Sequence, residues 1–160
     1  MARVQGVDNN SSDLYVIYKT MGATPDTGFD IVGGLADGRN SLSVAIFVYE
    51  GASTAAPVFT TANGNNTVLC DPPAITPTVA GSIVLSGGVG AHSRGIQTFS
   101  SSAFDDFLTV GVEGGLRDAT IGVGRFAWTS GAFNPAEFTF SGADGSPFSW
   151  AALSLVIIPE

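Results

Sequence analysis

The chain has 160 residues, 6 Lys plus Arg against 14 Asp plus Glu, and a formal net charge of −8. Charged residues make up only 12% of it, about half the usual ~25%, while mean hydropathy is +0.31. Positive residues are absent between Lys19 and Arg39 and again between Arg39 and Arg94. No basic cluster therefore exists to release counterions from nucleic acid or to meet an anionic membrane, and neither partner is expected.

The length suits a single domain over residues 1–160, with residues 1–13 read as an N-terminal arm or turn segment. Cys70 is the only cysteine, which excludes an intrachain disulfide and a cysteine-based zinc site. The first residues, Met-Ala-Arg-Val-Gln-Gly-Val-Asp, carry no apolar core of a secretory signal, so the expected place of synthesis and assembly is a cytoplasm. The sequons at Asn9, Asn10 and Asn65 then read as turn residues. Glycine, at 21 residues, is about twice as frequent as the ~7% norm. Together with 8 Pro this predicts short strands and frequent turns. A surface so poor in charge predicts that part of it is buried against other subunits.

In chain order, residues 8–13 read as a turn, and residues 14–19 (Leu-Tyr-Val-Ile-Tyr-Lys) as a strand rich in β-branched and aromatic residues. Residues 22–41 hold five Gly and one short apolar piece at Phe29-Asp30-Ile31-Val32, the mark of a short edge strand or a functional loop. Residues 42–49 (Leu-Ser-Val-Ala-Ile-Phe-Val-Tyr) read as a second strand, apolar on both faces. Residues 57–61 and 67–70 read as two short strands around a tight Asn63-Gly64 hairpin. Residues 81–87 form a strand that weakens into Gly88-Val89-Gly90, and residues 95–102 read as loop. Strands follow at 107–112, 120–128 and 137–140. In the last strand, 150–158, Ala151, Leu153, Leu155 and Ile157 point one way and Trp150, Ala152, Val156 and Ile158 the other, interrupted by Ser154. A strand apolar on both faces must be covered on both; a short buried helix is the rival reading of the same run, and Pro159 closes it either way. No stretch shows helical spacing with caps. The expected fold is an all-β, two-sheet antiparallel β-sandwich with jelly-roll connectivity, its first and last long strands side by side in one sheet.

The chemistry-bearing residues point to no reaction. His92 is the only histidine, so a Ser–His–Asp triad would have to use it, yet no G-x-S-x-G surrounds any serine. It reads as a loop histidine. Asp105 and Asp106 are adjacent, and adjacent strand residues face opposite ways, so they do not converge as a glycosidase pair would. Asp26, Asp30, Asp37, Asp118 and Asp144 sit in Gly-rich turns and match no defined Ca²⁺ loop. Gly87-Gly88-Val89-Gly90 and Gly122-Val123-Gly124 lack the dinucleotide fingerprint and read as strand glycines that allow close backbone approach. Tyr15, Tyr18, Tyr49, Trp128 and Trp150 read as core or interface aromatics rather than a sugar-binding face. No catalytic residue, cofactor or metal is assigned.

Three stretches carry a resemblance: Val48-Tyr49-Glu50-Gly51 after a long strand; Asp71-Pro72-Pro73-Ala74-Ile75-Thr76-Pro77 before a Gly-Ser-Ile-Val strand; and an ending with Trp128-Thr129-Ser130-Gly131, Asn134-Pro135-Ala136, Phe138-Thr139-Phe140 and Ser149-Trp150-Ala151-Ala152. From about Leu14 onward the chain resembles small β-sandwich virion-associated proteins of tailed phages and prophages. In that group the Tyr-x-Gly step usually carries Arg where this chain has Glu50. The resemblance implies a non-enzymatic virion structural protein, assembled in the host cytoplasm: a capsid decoration (cement), head-fibre or head-surface protein. It implies a homo-oligomer, with three copies the expected number, bound to the major capsid protein or other virion proteins. The alternative is a tail-associated receptor- or glycan-binding module.

Overall fold

The structure is a computed structural model that describes residues 2–9, 12–24, 26–30, 42–67, 69–92, 98–112, 118–141 and 148–160. Ten strands and no helix occur among them. They are β1 (Ala2–Asn9), β2 (Ser12–Tyr18), β3 (Val58–Thr67), β4 (Leu69–Cys70), β5 (Ile83–His92), β6 (Thr98–Ser100), β7 (Asp106–Val112), β8 (Asp118–Ala127), β9 (Phe138–Ser141) and β10 (Phe148–Ile157). A five-stranded antiparallel sheet in the order β3-β10-β5-β8-β7 faces a three-stranded one in the order β4-β9-β6. The fold is thus the expected all-β, two-sheet antiparallel sandwich. The β1–β2 hairpin lies against the outer face of the larger sheet, because Leu14 and Val16 pack into the cluster that Leu85, Val89, Ala151, Leu153 and Leu155 form there.

This placement explains β10. One row, Ala151, Leu153, Leu155 and Ile157, packs under the hairpin. The other supplies Trp150 and Ala152 to the core shared with the smaller sheet, and Val156 and Ile158 to a third cluster with Ile75 and Val84. Both predicted faces are covered. The polar interruption is resolved by its neighbour: Ser154 sits opposite Ser86, and the two buried hydroxyls share a hydrogen bond of 2.8 Å. A buried hydroxyl without such a partner costs roughly 1–3 kcal/mol.

Glycines shape the core between the sheets. A Cβ at Gly88 would lie 2.5 Å from Cys70 Sγ, one at Gly122 2.6 Å from Phe99 Cβ, and one at Gly124 2.3 Å from the Phe104 ring. Phe99, Phe104, Phe107 and Phe138 are therefore seated on bare backbone of β5 and β8. Phe107 and Phe138 meet edge to face at 5.1 Å, and Phe104 meets Phe138 at 5.7 Å, the arrangement ring quadrupoles favour. These glycines allow close approach, as the sequence predicts, and belong to no phosphate loop.

Several expectations need correction. The segment read as an N-terminal arm or turn contains β1, paired antiparallel with β2; period-two sterics and a partner strand override its polar composition. The first long strand, β2, lies over β10 rather than beside it, since β10 is bonded to β3 and β5. The Asn63-Gly64 hairpin does not form: β3 runs straight through it. Gly64 is opposite Trp150, and a Cβ there would be 2.6 Å from the indole, so the glycine makes room for a ring instead of a turn. Three residues of β3 span two of β10 between Gly64 and Thr67, the one-residue offset of a bulge. β5 continues through its glycines to His92, and residues 98–100 of the expected loop form β6. Of the apolar piece at residues 29–32, Phe29 and Asp30 are exposed and in no strand, and Ile31 and Val32 lie outside the described residues. Residues 42–49 join no sheet ladder.

Candidate functional site

Residues 42–49, expected as a strand, form none, and they touch the larger sheet at two described points. Ser43 Oγ donates to Ala119 O at 2.7 Å near the start of β8. Tyr49 packs into the cluster under the hairpin, and it lines a hollow together with Val123 and Arg125 of β8. Ser43, Ala45 and Tyr49 are part-buried, and Leu42, Val44, Ile46, Phe47 and Val48 are exposed. The even-numbered row is entirely aliphatic, with Ile46 at 53% and Val48 at 68% exposure. In β2, Leu14 is buried while Tyr15 and Ile17 are exposed.

Beside the C-terminal end of the segment is an open hollow of about 440 Å³, lined by Phe47, Val48, Tyr49, Asp106, Leu108 and Arg125 among others. Arg125 Nη1 donates to Asp106 Oδ2 at 2.6 Å, an exposed ion pair of the kind that contributes at most ~1 kcal/mol. Burial raises the pKa of the Tyr49 phenol; Arg125 opposes that shift and Asp106 adds to it. A second shallow hollow of about 420 Å³ is lined by Ser100, Ser101, Ser102, Ala136, Glu137 and Thr139.

The sequence candidates are dispersed. His92 is the last residue of β5, in register with Asp118 of β8, so its backbone belongs to a strand and not to a loop. Asp105 accepts a hydrogen bond from the Ala127 N–H at 2.7 Å, whereas Asp106 pairs with Arg125; the two carboxylates have separate structural partners. Asp26 pairs with Lys19, and Asp30 is exposed. Asp37 and Asp144 lie outside the described residues. Among those described, no three His, Cys, Asp or Glu side chains gather to hold a metal ion. The aromatics do not share one face: Trp150 is buried over Gly64, Trp128 Nε1 donates to Gly131 O at 2.8 Å, and Tyr15 is exposed. Cys70 is buried, and its thiol pKa is pushed far up by that burial and by Asp71.

The Tyr49-Glu50-Gly51 step has a structural task. Gly51 adopts φ +70°, a conformation with little cost only for glycine. Its carbonyl accepts the Glu160 N–H at 2.9 Å, and Ser53 N–H donates to Ile158 O at 2.7 Å. The turn thereby ties the 42–49 segment to the end of β10. No helix among the described residues is long and apolar enough to cross a membrane. No protein-family model, no curated protein and no solved structure matches this chain. In the sequence residues 42–49 read as apolar on both faces; the structure leaves the aliphatic even-numbered row, and Phe47, exposed.

Proposed function

We propose that this chain is a non-enzymatic structural protein of a tailed-phage virion, acting as a capsid decoration (cement) or head-surface protein. It stabilises the shell by forming homo-oligomers and by binding the major capsid protein or other virion proteins, on a particle assembled in the host cytoplasm. Jelly-roll connectivity belongs to the same reading. The observation that carries it is the aliphatic outer surface of residues 42–48 on a sandwich whose own core is already filled. Exposed apolar surface of this kind marks an interaction site, and burying it at ~25 cal/mol/Å² in repeated contacts would reinforce a shell. Support also comes from a charge content of 12% and from acidic side chains engaged in structural contacts at Asp105 and Asp106.

The test is deletion of the gene from the phage that carries it, followed by re-addition of purified protein. Particles lacking the chain should lose DNA at a lower temperature than intact ones, and re-addition should restore them. Equal heat resistance with and without the chain would refute the shell-stabilising role. Binding of the isolated protein to host cells or glycans, with no binding to heads, would replace it with the tail-module reading.

A further inference from the structure

We propose that the hollow beside residues 47–49 is a binding site for a neutral saccharide, whose hydroxyls are taken by Arg125 and Asp106 and whose apolar ring face rests on the aromatic side chains of Phe47 and Tyr49. The proposal gives the chain a ligand and does not depend on its place on a particle.

The first observation is the lining. The hollow measures about 440 Å³, within the size range of small-ligand sites. It sets carbon surface from Phe47, Tyr49, Phe107 and Leu108 beside two charged groups, Asp106 and Arg125. Apolar and aromatic walls with a few polar groups are the ordinary make-up of such a site. Phe47 is exposed at 37%, and a ring left open to solvent at the edge of a hollow is a platform for the C–H face of a sugar. Of the five Tyr and Trp residues, which share no common face, the site uses Tyr49 alone.

The second observation is that donor and acceptor stand side by side. Arg125 Nη1 donates to Asp106 Oδ2 at 2.6 Å, and the two side chains are 39% and 69% exposed, so a ligand reaches both. Neighbouring hydroxyls of a sugar ring match such a pair: one oxygen accepts from the guanidinium, and the next hydroxyl donates to the carboxylate. Arg125 also holds a buried Nε–H with no acceptor, and buried donors are otherwise almost always partnered.

The third observation is charge, which selects among ligands. An anion would meet Asp106 in the hollow and the exposed Glu50 next to Tyr49 in sequence, on a chain of net charge −8. A cation would meet Arg125. A wholly apolar ligand would strip water from both charged groups without replacing its hydrogen bonds. A neutral polyol with one apolar face incurs none of these penalties.

The site is tested by nuclear magnetic resonance titration of the full ¹⁵N-labelled chain, observing the backbone amides and the Arg125 Nε–H. The probes are methyl β-galactoside, methyl β-glucoside and methyl α-mannoside, with glycerol as a polyol lacking a ring face and sodium acetate as an anion. At least one glycoside should bind with a dissociation constant on the order of 1 mM, moving the Arg125 Nε–H and the amides of residues 47–49 and 106–108 to saturation. Arg125→Lys, which keeps the charge but loses the planar fork, should weaken that binding at least about tenfold. Asp106→Ala should do the same, while Ser101→Ala, in the second hollow, should leave it unchanged. No saturable shift with any of the glycosides overturns the site. So does a response to glycerol or acetate as large as that to the glycosides, or glycoside binding that survives both hollow variants. Should those variants fail to fold, the wild-type map decides: saturable shifts centred on the hollow support the site, and shifts centred elsewhere overturn it. A chain that binds phage heads and no glycoside loses this site alone, and one that binds a glycoside and no heads loses the shell reading alone.

Discussion

Gly88 and Gly124 are the positions where one methyl group meets the most resistance. At Gly88 it would intrude on Cys70 Sγ and Phe138, and at Gly124 on the Phe104 ring. Alanine at either site should lower stability by ~1–3 kcal/mol through overpacking, read as a lower denaturant midpoint. Alanine at Gly28, which has open space around it, should stay within about ±0.5 kcal/mol. Ser154→Ala strands the Ser86 hydroxyl in the core and should cost ~1–3 kcal/mol, whereas the double variant Ser86→Ala/Ser154→Ala should regain part of that loss; a double variant less stable than the single would contradict a paired-hydroxyl account. Tyr49 gives a pH prediction. Its phenol pKa is raised by burial in the folded chain, so folding favours the protonated form. That contribution is whole below the ordinary phenol pKa near 10 and is lost as pH rises through the raised value. Stability should therefore fall in alkaline solution beyond pH ~10, and Tyr49→Phe should flatten the fall when unfolding is followed across that range.

β10 carries the element-scale case. Leu153 is buried on the face under the hairpin, and Leu153→Ala should cost ~2–5 kcal/mol. In the dilute chain, amides of β10 and β5, flanked by ladders on both sides, should exchange slowest, and those of residues 42–48, in no ladder, among the fastest. Equal protection of the two would contradict the topology described here. The two faces of β10 were legible in the sequence because alternation is a local property: each residue's side follows from its parity. The fate of Asn63-Gly64 was not legible, because Trp150 stands 86 residues further on and only the folded register brings the indole over Gly64. β1 was hidden for the same reason. Nothing in Ala-Arg-Val-Gln-Gly-Val-Asp-Asn alternates strongly, and it takes its strand form from β2. Residues 42–49 show both sides of the limit. Their double-faced apolarity could be read directly, but that they join no ladder and leave Leu42, Val44, Ile46 and Val48 exposed depends on how the chain passes over β8.

At the scale of the molecule, the larger sheet lies between the smaller sheet and the hairpin layer, and the aliphatic remainder collects on the outside of that layer. A chain with 12% charged residues and a net charge of −8 keeps its copies apart by long-range repulsion that falls off within ~10 Å at 0.1 M salt. Self-association should therefore tighten as salt rises from about 20 mM to about 200 mM, measured as a lower dissociation constant; weakening over that range would indicate attraction between charged groups and argue against an uncharged contact. On a particle, many copies held at fixed spacing make small contacts collectively strong, which is how a module without deep pockets or metal clusters among its described residues can secure a shell. The most direct measurement is an electron-microscopy map of the purified phage particle that encodes this chain. The account predicts density for this two-sheet fold on the outer surface of the head, in contact with the major capsid protein. Particles whose heads carry no such density, and whose protein content lacks the chain, would contradict it.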